Sequence, residues 1–126
     1  MKRNKNKYFA KAIKADGEVF DSKKEYLRYK ELELLERAGE ITELRRQVRY
    51  LLIPSQFDMV TDEHGRRKRI CVERECNYIA DFVYRDKRGN LVVEDCKGYK
   101  KGAAYALFVI KRKLMYEKFQ IKIKET

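Results

Sequence analysis

The feature that most constrains the fold is a pair of strand-like segments, each carrying an acidic residue where an apolar one is expected. Residues 78–84 and 91–97 are rich in the β-branched and aromatic side chains that favour strands. Turn-forming residues at 86–90 join the two segments and predict an antiparallel hairpin. Asp81 and Asp95 then lie side by side. Because a buried carboxylate is costly unless it is paired or bound to a cation, these acids predict a cation site within a sheet.

The remaining pattern predicts a mixed α/β domain. Ser22 and Glu25 have the spacing of a helix capping box, helical periodicity follows, and Gly39 ends it. Residues 1–18 are predicted to form a basic arm or hairpin that turns at Asp16 and Gly17, and residues 19–126 a single domain. Within that domain we predict a helix at 22–38, strands at 41–53, 69–75, 78–84 and 91–97, a helix at 103–118 and an outer strand at 119–124.

The charge balance favours a polyanionic partner. The chain has 31 lysines and arginines against 20 acidic residues, which gives a formal net charge of +11. Such a surplus attracts nucleic acid, because each phosphate that is neutralised releases condensed counterions. No apolar run approaches the ~20 residues that cross a bilayer, so a membrane partner is not expected. Three cysteines without zinc-like spacing and a single histidine argue against a disulfide scaffold or structural zinc, and favour the reducing cytoplasm.

The second strand-like segment also places a lysine beside its acid. Asp95 and Lys97 are two residues apart, so both side chains face the same side of a strand, and the carbonyl of Cys96 lies between them. A divalent ion between the two aspartates could use that carbonyl as a further oxygen ligand, and Lys97 is placed to hold or deprotonate a water. Glu94 faces the other side and ranks as auxiliary. The alternative interpretation is a surface ion pair of little energetic weight.

These residues, in this order, resemble the PD-(D/E)XK nuclease superfamily over residues 19–124, and in particular small phage-encoded nucleases. The resemblance rests on Asp81, on Asp95 to Lys97 after a turn, and on a preceding helix that bears Glu25. It implies a restriction-endonuclease-like mixed sheet, Mg²⁺ (or Mn²⁺ in its place) held by Asp81, Asp95 and the Cys96 carbonyl, and action in the cytoplasm of a host cell. Lys97 would act at the water, Glu25 at the metal or water, and Gln47 would be a possible auxiliary.

The resemblance extends to archaeal-type Holliday junction resolvases, which implies a homodimer that cuts branched DNA. The basic residues expected to contact DNA are Lys2, Arg3, Lys5, Lys7, Lys11, Lys100, Lys101, Lys111 and Lys113. Two alternatives remain open. One is a transposase-type or restriction-like endonuclease subunit, which would need a partner for specificity. The other is a non-catalytic nucleic-acid-binding module on the same fold, although such a module would be expected to have lost part of the Asp81, Asp95 and Lys97 set.

Overall fold

The structure is a computed structural model that describes residues 12–15, 17–97 and 100–126. It is an α/β fold with a mixed sheet and two helices, as predicted. The elements, in chain order, are β1 (Ile13–Ala15), β2 (Glu18–Phe20), α1 (Lys23–Arg37), β3 (Thr42–Ile53), β4 (Gln56–Thr61), β5 (Arg67–Glu73), β6 (Cys76–Arg85), β7 (Leu91–Asp95), α2 (Gly102–Phe119) and β8 (Lys124–Glu125).

The main sheet has four strands in the order β3-β6-β7-β8. Strands β3, β6 and β7 pair antiparallel, whereas β8 pairs parallel to β7. The two strands that carry Asp81 and Asp95 are therefore the two central strands, which confirms the predicted hairpin. Separate two-stranded sheets are formed by β1 with β2 and by β4 with β5.

The core lies on both faces of the main sheet. One cluster includes Val83 and Val93 of the central strands and Phe108 and Met115 of α2. The other joins Leu32 of α1 to Ile41 and to two further residues of β6, Phe82 and Tyr84. Helices α1 and α2 thus contribute to different clusters, and the central strands contribute residues to both clusters. This position explains why β6 and β7 are so apolar in sequence.

Local signals account for the boundaries of α1. Ser22 is the N-cap, and its hydroxyl accepts a 3.0 Å hydrogen bond from the backbone N–H of Glu25. At the other end, Gly39 has a φ of 79°, a left-handed conformation that glycine adopts without steric cost. The predicted first helix is therefore confirmed to within a residue at each end.

The end of the chain differs from its prediction. Residues 119–124 were expected to form an outer strand, but only Lys124–Glu125 is a strand. Helix α2 extends to Phe119 and ends on Gln120, whose φ of 56° reverses the chain. Ile121 and Ile123 then pack against the α2 core cluster instead of pairing in the sheet. The alternating apolar residues therefore reflect packing against the core, and they do not mark a strand.

The middle of the chain also differs. A strand was predicted at 69–75, and the structure has β5 at Arg67–Glu73. Its partner β4 was not predicted as a strand. Within the described residues, neither helix is long and apolar enough to span a membrane.

Candidate active site

The two predicted acids come together at the centre of the sheet. Phe82 pairs with Glu94, and continuing that antiparallel register by one residue sets Asp81 opposite Asp95. Asp81 Oδ2 accepts a 2.8 Å hydrogen bond from the backbone N–H of Cys96. Asp95 is only 4% exposed. Two carboxylates thus lie at neighbouring positions of the two central strands, with Asp95 buried and Asp81 partly buried.

Lys97 is held beside this pair. Its Nζ lies 2.8 Å from Asp95 Oδ1 and 3.9 Å from the centre of the Phe108 ring. Its backbone carbonyl accepts a 2.8 Å hydrogen bond from Lys24 Nζ, which connects the end of β7 to α1. The carboxylate of Asp95 and the face of the Phe108 ring therefore hold the ammonium of Lys97, and Lys24 holds its backbone. Asp95 and Lys97 lie on the same side, as predicted.

Glu25 reaches the same site from the first turn of α1. Glu25 is 2% exposed, and its Oε1 accepts a 3.1 Å hydrogen bond from Gln47 Nε2. The same Gln47 nitrogen lies 3.3 Å from Asp81 Oδ1, so Gln47 bridges the two acids. Glu25 Oε2 accepts from the backbone N–H of Asp21, so this residue also contributes to capping the helix. The capping and site interpretations of Glu25 are therefore compatible.

Gln47 occupies an unusual backbone conformation. Its φ is 52°, a left-handed value that is uncommon for residues other than glycine. The regular pairing of β3 with β6 passes from Arg46–Phe82 to Val48–Ala80 and omits Gln47 with Asp81. Such strain is concentrated at functional sites, where the surrounding structure holds it in place. Here the irregularity coincides with the amide that contacts both Glu25 and Asp81.

The site is electrostatically unfavourable as it stands. Burial, followed by repulsion from Asp95, raises the pKa of Asp81 to about 7, although the Cys96 N–H and the Lys97 ammonium act in the opposite direction. Burial and the nearby Asp21 carboxylate also raise the pKa of Glu25. Acids in such surroundings are stabilised by a cation placed among them.

Glu94 belongs to a different cluster, on the α1 side of the sheet. Its two carboxylate oxygens accept 2.8 Å hydrogen bonds from Arg28, and Tyr84 also donates to it. Although burial opposes ionisation, these contacts lower the pKa of Glu94. A buried carboxylate with a bidentate arginine is already neutralised. Glu94, predicted as a possible auxiliary of the site, thus has structural partners here, and Asp95 is the acid that faces Asp81.

The donors present fit a magnesium ion. Among the described residues, no three histidine, cysteine or acidic side chains are grouped as a metal site. Mg²⁺, however, commonly uses only one or two carboxylates and completes its shell with water and substrate phosphate oxygens. Asp81 and Asp95 supply two carboxylates. The N–H of Cys96 donates to Asp81, whereas the neighbouring Asp95 carbonyl and Lys97 N–H bond to Thr126 on the other side. In extended backbone of this kind, the carbonyl of Cys96 lies on the Asp81 side. This geometry fits the predicted use of that carbonyl.

The predicted DNA-binding residues are distributed unevenly. Lys111 lines a cavity of about 290 Å³ that also contains Asp95, Lys97 and Phe108, so it borders the acid pair. Lys100 and Lys101 are exposed just before α2, and Lys113 lines a second cavity, next to Tyr116. The predictions for the arm fall on residues outside the described part of the chain, namely Lys2, Arg3, Lys5, Lys7 and Lys11.

Sequence reasoning missed three residues that support the site. Tyr78 donates a 2.5 Å hydrogen bond to Asp95 Oδ2 and is 3% exposed. Arg46 lies 3.3 Å from Glu25 Oε1, with its guanidinium 3.9 Å from the Phe20 ring centre. Lys24 is the third, through its bond to the carbonyl of Lys97. A tyrosine in a strand and basic residues in a basic chain carry no local signal of these contacts.

Comparison with known proteins assigns the chain to a family. A family model described as "Protein of unknown function (DUF1064)" matches residues 5–126. The chain belongs to this family. The matched range contains every residue of the acid pair and of its surroundings. No curated protein and no solved structure matches the chain.

Proposed function

We propose that this DUF1064 chain is a metal-dependent DNA endonuclease of the PD-(D/E)XK type. The observation that carries the proposal is the register position that sets Asp81 opposite Asp95, with the Lys97 ammonium 2.8 Å from Asp95. Two facing acids and an adjacent lysine at the end of a central strand are costly for folding unless they serve a ligand. A phosphodiester with its metal ion supplies the missing positive charge and uses the lysine.

Each residue has a distinct duty in this proposal. Asp81, Asp95 and the carbonyl of Cys96 would hold Mg²⁺, or Mn²⁺ in its place, and the ion would supply positive charge at the phosphate. Lys97 would hold and orient the attacking water by donating a hydrogen bond from its Nζ ammonium. Glu25 orients that water or a ligand of the ion through the contacts it shares with Gln47. Tyr78 is a positioning residue, because its hydroxyl holds the Asp95 carboxylate in place.

The surroundings support a DNA substrate. The net charge of +11 would favour association with a polyanion, and Lys111 borders the same cavity as Lys97. We further propose that the enzyme is a cytoplasmic homodimer that resolves branched DNA such as four-way junctions, since a two-fold axis relates two active sites to two strands.

The test is a cleavage assay with a panel of end-labelled substrates. Linear duplex, single-stranded, flap and four-way-junction DNA of one sequence are incubated with the protein in EDTA, Mg²⁺ or Mn²⁺. We expect cleavage only with a metal, fastest on junctions, at paired and roughly symmetric positions. Full activity in EDTA, or no cleavage of any substrate, would refute the endonuclease. Equal rates on duplex and junction would remove only the resolvase assignment.

Substitutions separate catalysis from binding. Asp81→Asn, Asp95→Asn and Lys97→Ala should each abolish cleavage, and the two acid changes should leave DNA affinity equal or higher because repulsion of phosphate is reduced. Matched controls are Glu63→Gln and Lys87→Ala, which remove one charge each from exposed positions outside the site. The controls should cleave at the wild-type rate. A non-catalytic binding module would instead bind DNA and leave every substrate intact.

A further inference from the structure

Strands β4 and β5 form a hairpin that stands apart from the main sheet. It is a two-stranded sheet, and within the described residues its strands pack chiefly against each other. All seven residues of β5 are exposed, and in β4 only Val60 is partly covered. An isolated two-stranded hairpin is marginally stable in water, and three or more strands are usually needed. The hairpin therefore lacks the packing that such a strand pair ordinarily requires.

The exposed side chains include four large apolar ones on both faces. Phe57 and Met59 are 46% and 48% exposed, and Ile70 and Val72 are 37% and 50% exposed. By the alternation of strands, Phe57 and Met59 lie on one face and Ile70 and Val72 on the other. Long unprotected edges with apolar residues are sites of pairing with another chain.

The charge of the hairpin favours a protein partner over nucleic acid. Residues 56–73 contain four acidic residues, at positions 58, 62, 63 and 73, and four basic residues, at positions 66–69. This segment is neutral in a chain whose net charge is +11. A surface built for a polyanion would be expected to carry a share of the excess, as protein–DNA interfaces do.

The charged ends of strand β5 are complementary to those of a second copy. When two copies run antiparallel with Ile70 on the two-fold axis, the whole strand is paired and Arg67 of each lies opposite Glu73 of the other. The two isoleucines meet on the axis. By symmetry the arginine–glutamate contact occurs twice, and opposite charges directly across two strands stabilise the pairing.

We propose that the outer edge of β5 pairs antiparallel with β5 of a second copy of this chain, with Ile70 at the two-fold axis. Two hairpins then join into a four-stranded sheet in which neither β5 is an edge strand. The assembly rests on the hairpin alone and not on the proposed nuclease activity. It supplies the interface for the homodimer that symmetric cutting of two strands would need.

A charge swap tests the pairing directly. The wild type should have twice the chain mass by light scattering at micromolar concentration. Arg67→Glu alone, or Glu73→Arg alone, should weaken the dimer by about tenfold, because each creates two like-charge contacts. The double variant Arg67→Glu/Glu73→Arg should recover wild-type association. In one chain these residues lie six positions apart on a strand, about 20 Å, so recovery cannot come from a contact within the monomer.

A cross-link tests the register. In a Cys71→Ser background, Ile70→Cys places two thiols directly opposite on the axis and should form a disulfide-linked dimer under mild oxidation. Val72→Cys in the same background is the matched control, since its partner would be Lys68, and should stay uncross-linked. Because residue 70 is exposed, neither change removes packing from the core. Cross-linking at 72 but not at 70 would refute the register.

The remaining outcomes are also decisive. A wild-type monomer at all concentrations up to about 100 μM would overturn the proposal. So would a double charge swap that associates no better than either single variant. If both single variants associate normally, while Arg67→Glu binds DNA more weakly and Glu73→Arg more tightly, the hairpin contacts nucleic acid and the second-copy proposal is wrong. Cleavage of labelled duplex is measured for the wild type and each variant, because a monomer can still nick DNA. Absence of the wild-type dimer with cleavage retained would therefore count against the pairing and not against the nuclease proposal.

Discussion

Replacing Asp81 with asparagine should stabilise the metal-free protein at alkaline pH. The change keeps the size of the side chain and one oxygen to accept the bond from the Cys96 N–H, while it removes a negative charge that faces Asp95. It also leaves the Tyr78 and Lys97 contacts of Asp95 in place. The expected gain comes from relief of burial and repulsion at one carboxylate.

The magnitude follows from the pKa of Asp81, which rises from 3.8 to about 7 on folding. The folded state therefore binds the proton more tightly than the unfolded state. The free energy of unfolding falls as pH rises from 3.8 to about 7 and is level above that. Each pH unit within this window is worth about 1.36 kcal/mol, so wild-type stability should fall by about 2–3 kcal/mol between pH 5 and pH 8 through this group. Asparagine does not titrate and removes that fall.

Urea unfolding followed by circular dichroism in EDTA, at pH 5, 6, 7 and 8, measures the effect. The difference in free energy of unfolding between Asp81→Asn and wild type should grow by about 2–3 kcal/mol in favour of the variant from pH 5 to pH 8. Contributions from acids that do not interact with Asp81 cancel in this difference. Glu63→Gln, an exposed change in the turn of the hairpin, should run parallel to wild type.

A constant difference across this range would refute the reasoning. It would mean that Asp81 is already ionised in the folded protein at pH 5, and that the facing acids do not oppose each other. The claim that the site needs a cation would then lose its physical basis, whatever the enzyme assays give.

Two further predictions concern ligands. Millimolar Mg²⁺ should raise the midpoint of thermal unfolding of the wild type, because an ion that binds only the folded state stabilises it, and should leave an Asp81→Asn/Asp95→Asn variant unchanged; an equal shift in both would place the ion elsewhere. Replacing four basic residues of the arm with alanine should weaken binding to all DNA sequences alike and flatten its salt dependence, measured by fluorescence anisotropy. An unchanged salt slope would mean that the arm makes no phosphate contacts. The four residues are Lys2, Arg3, Lys5 and Lys7.

The elements that could be predicted are those whose signal is local. Ser22 and Gly39 mark the ends of α1 through their own backbone and capping chemistry, and the β-branched runs of β6 and β7 mark the central strands. The turn at 86–90 sets their register closely enough to bring Asp81 opposite Asp95. The central acid pair was therefore predictable from a short stretch of chain.

The contacts that could not be predicted depend on tertiary structure. The left-handed backbone of Gln47 arises where β3 meets Asp81, and nothing around residue 47 in sequence requires it. Tyr78 lies on β6 and Asp95 on β7. The alternation of side chains along each strand does not by itself predict the hydrogen bond between them. Strand β4 was missed because it is a short segment of mixed polar and apolar residues. Only its pairing with β5 identifies it as a strand.

The contacts around the acid pair close loops of very different length, and this sets an order of assembly. Cys96 reaches Asp81 across 15 residues, whereas Lys24 reaches the carbonyl of Lys97 across 73. The longer closure carries an extra entropic cost of about 1.4 kcal/mol, so the β6–β7 hairpin can bring its acids together before α1 docks. Docking then adds the carboxylate of Glu25 to a place that is already negative. A cation captured early by the hairpin would favour that late step, and the metal would act on the folding pathway as well as on the finished site.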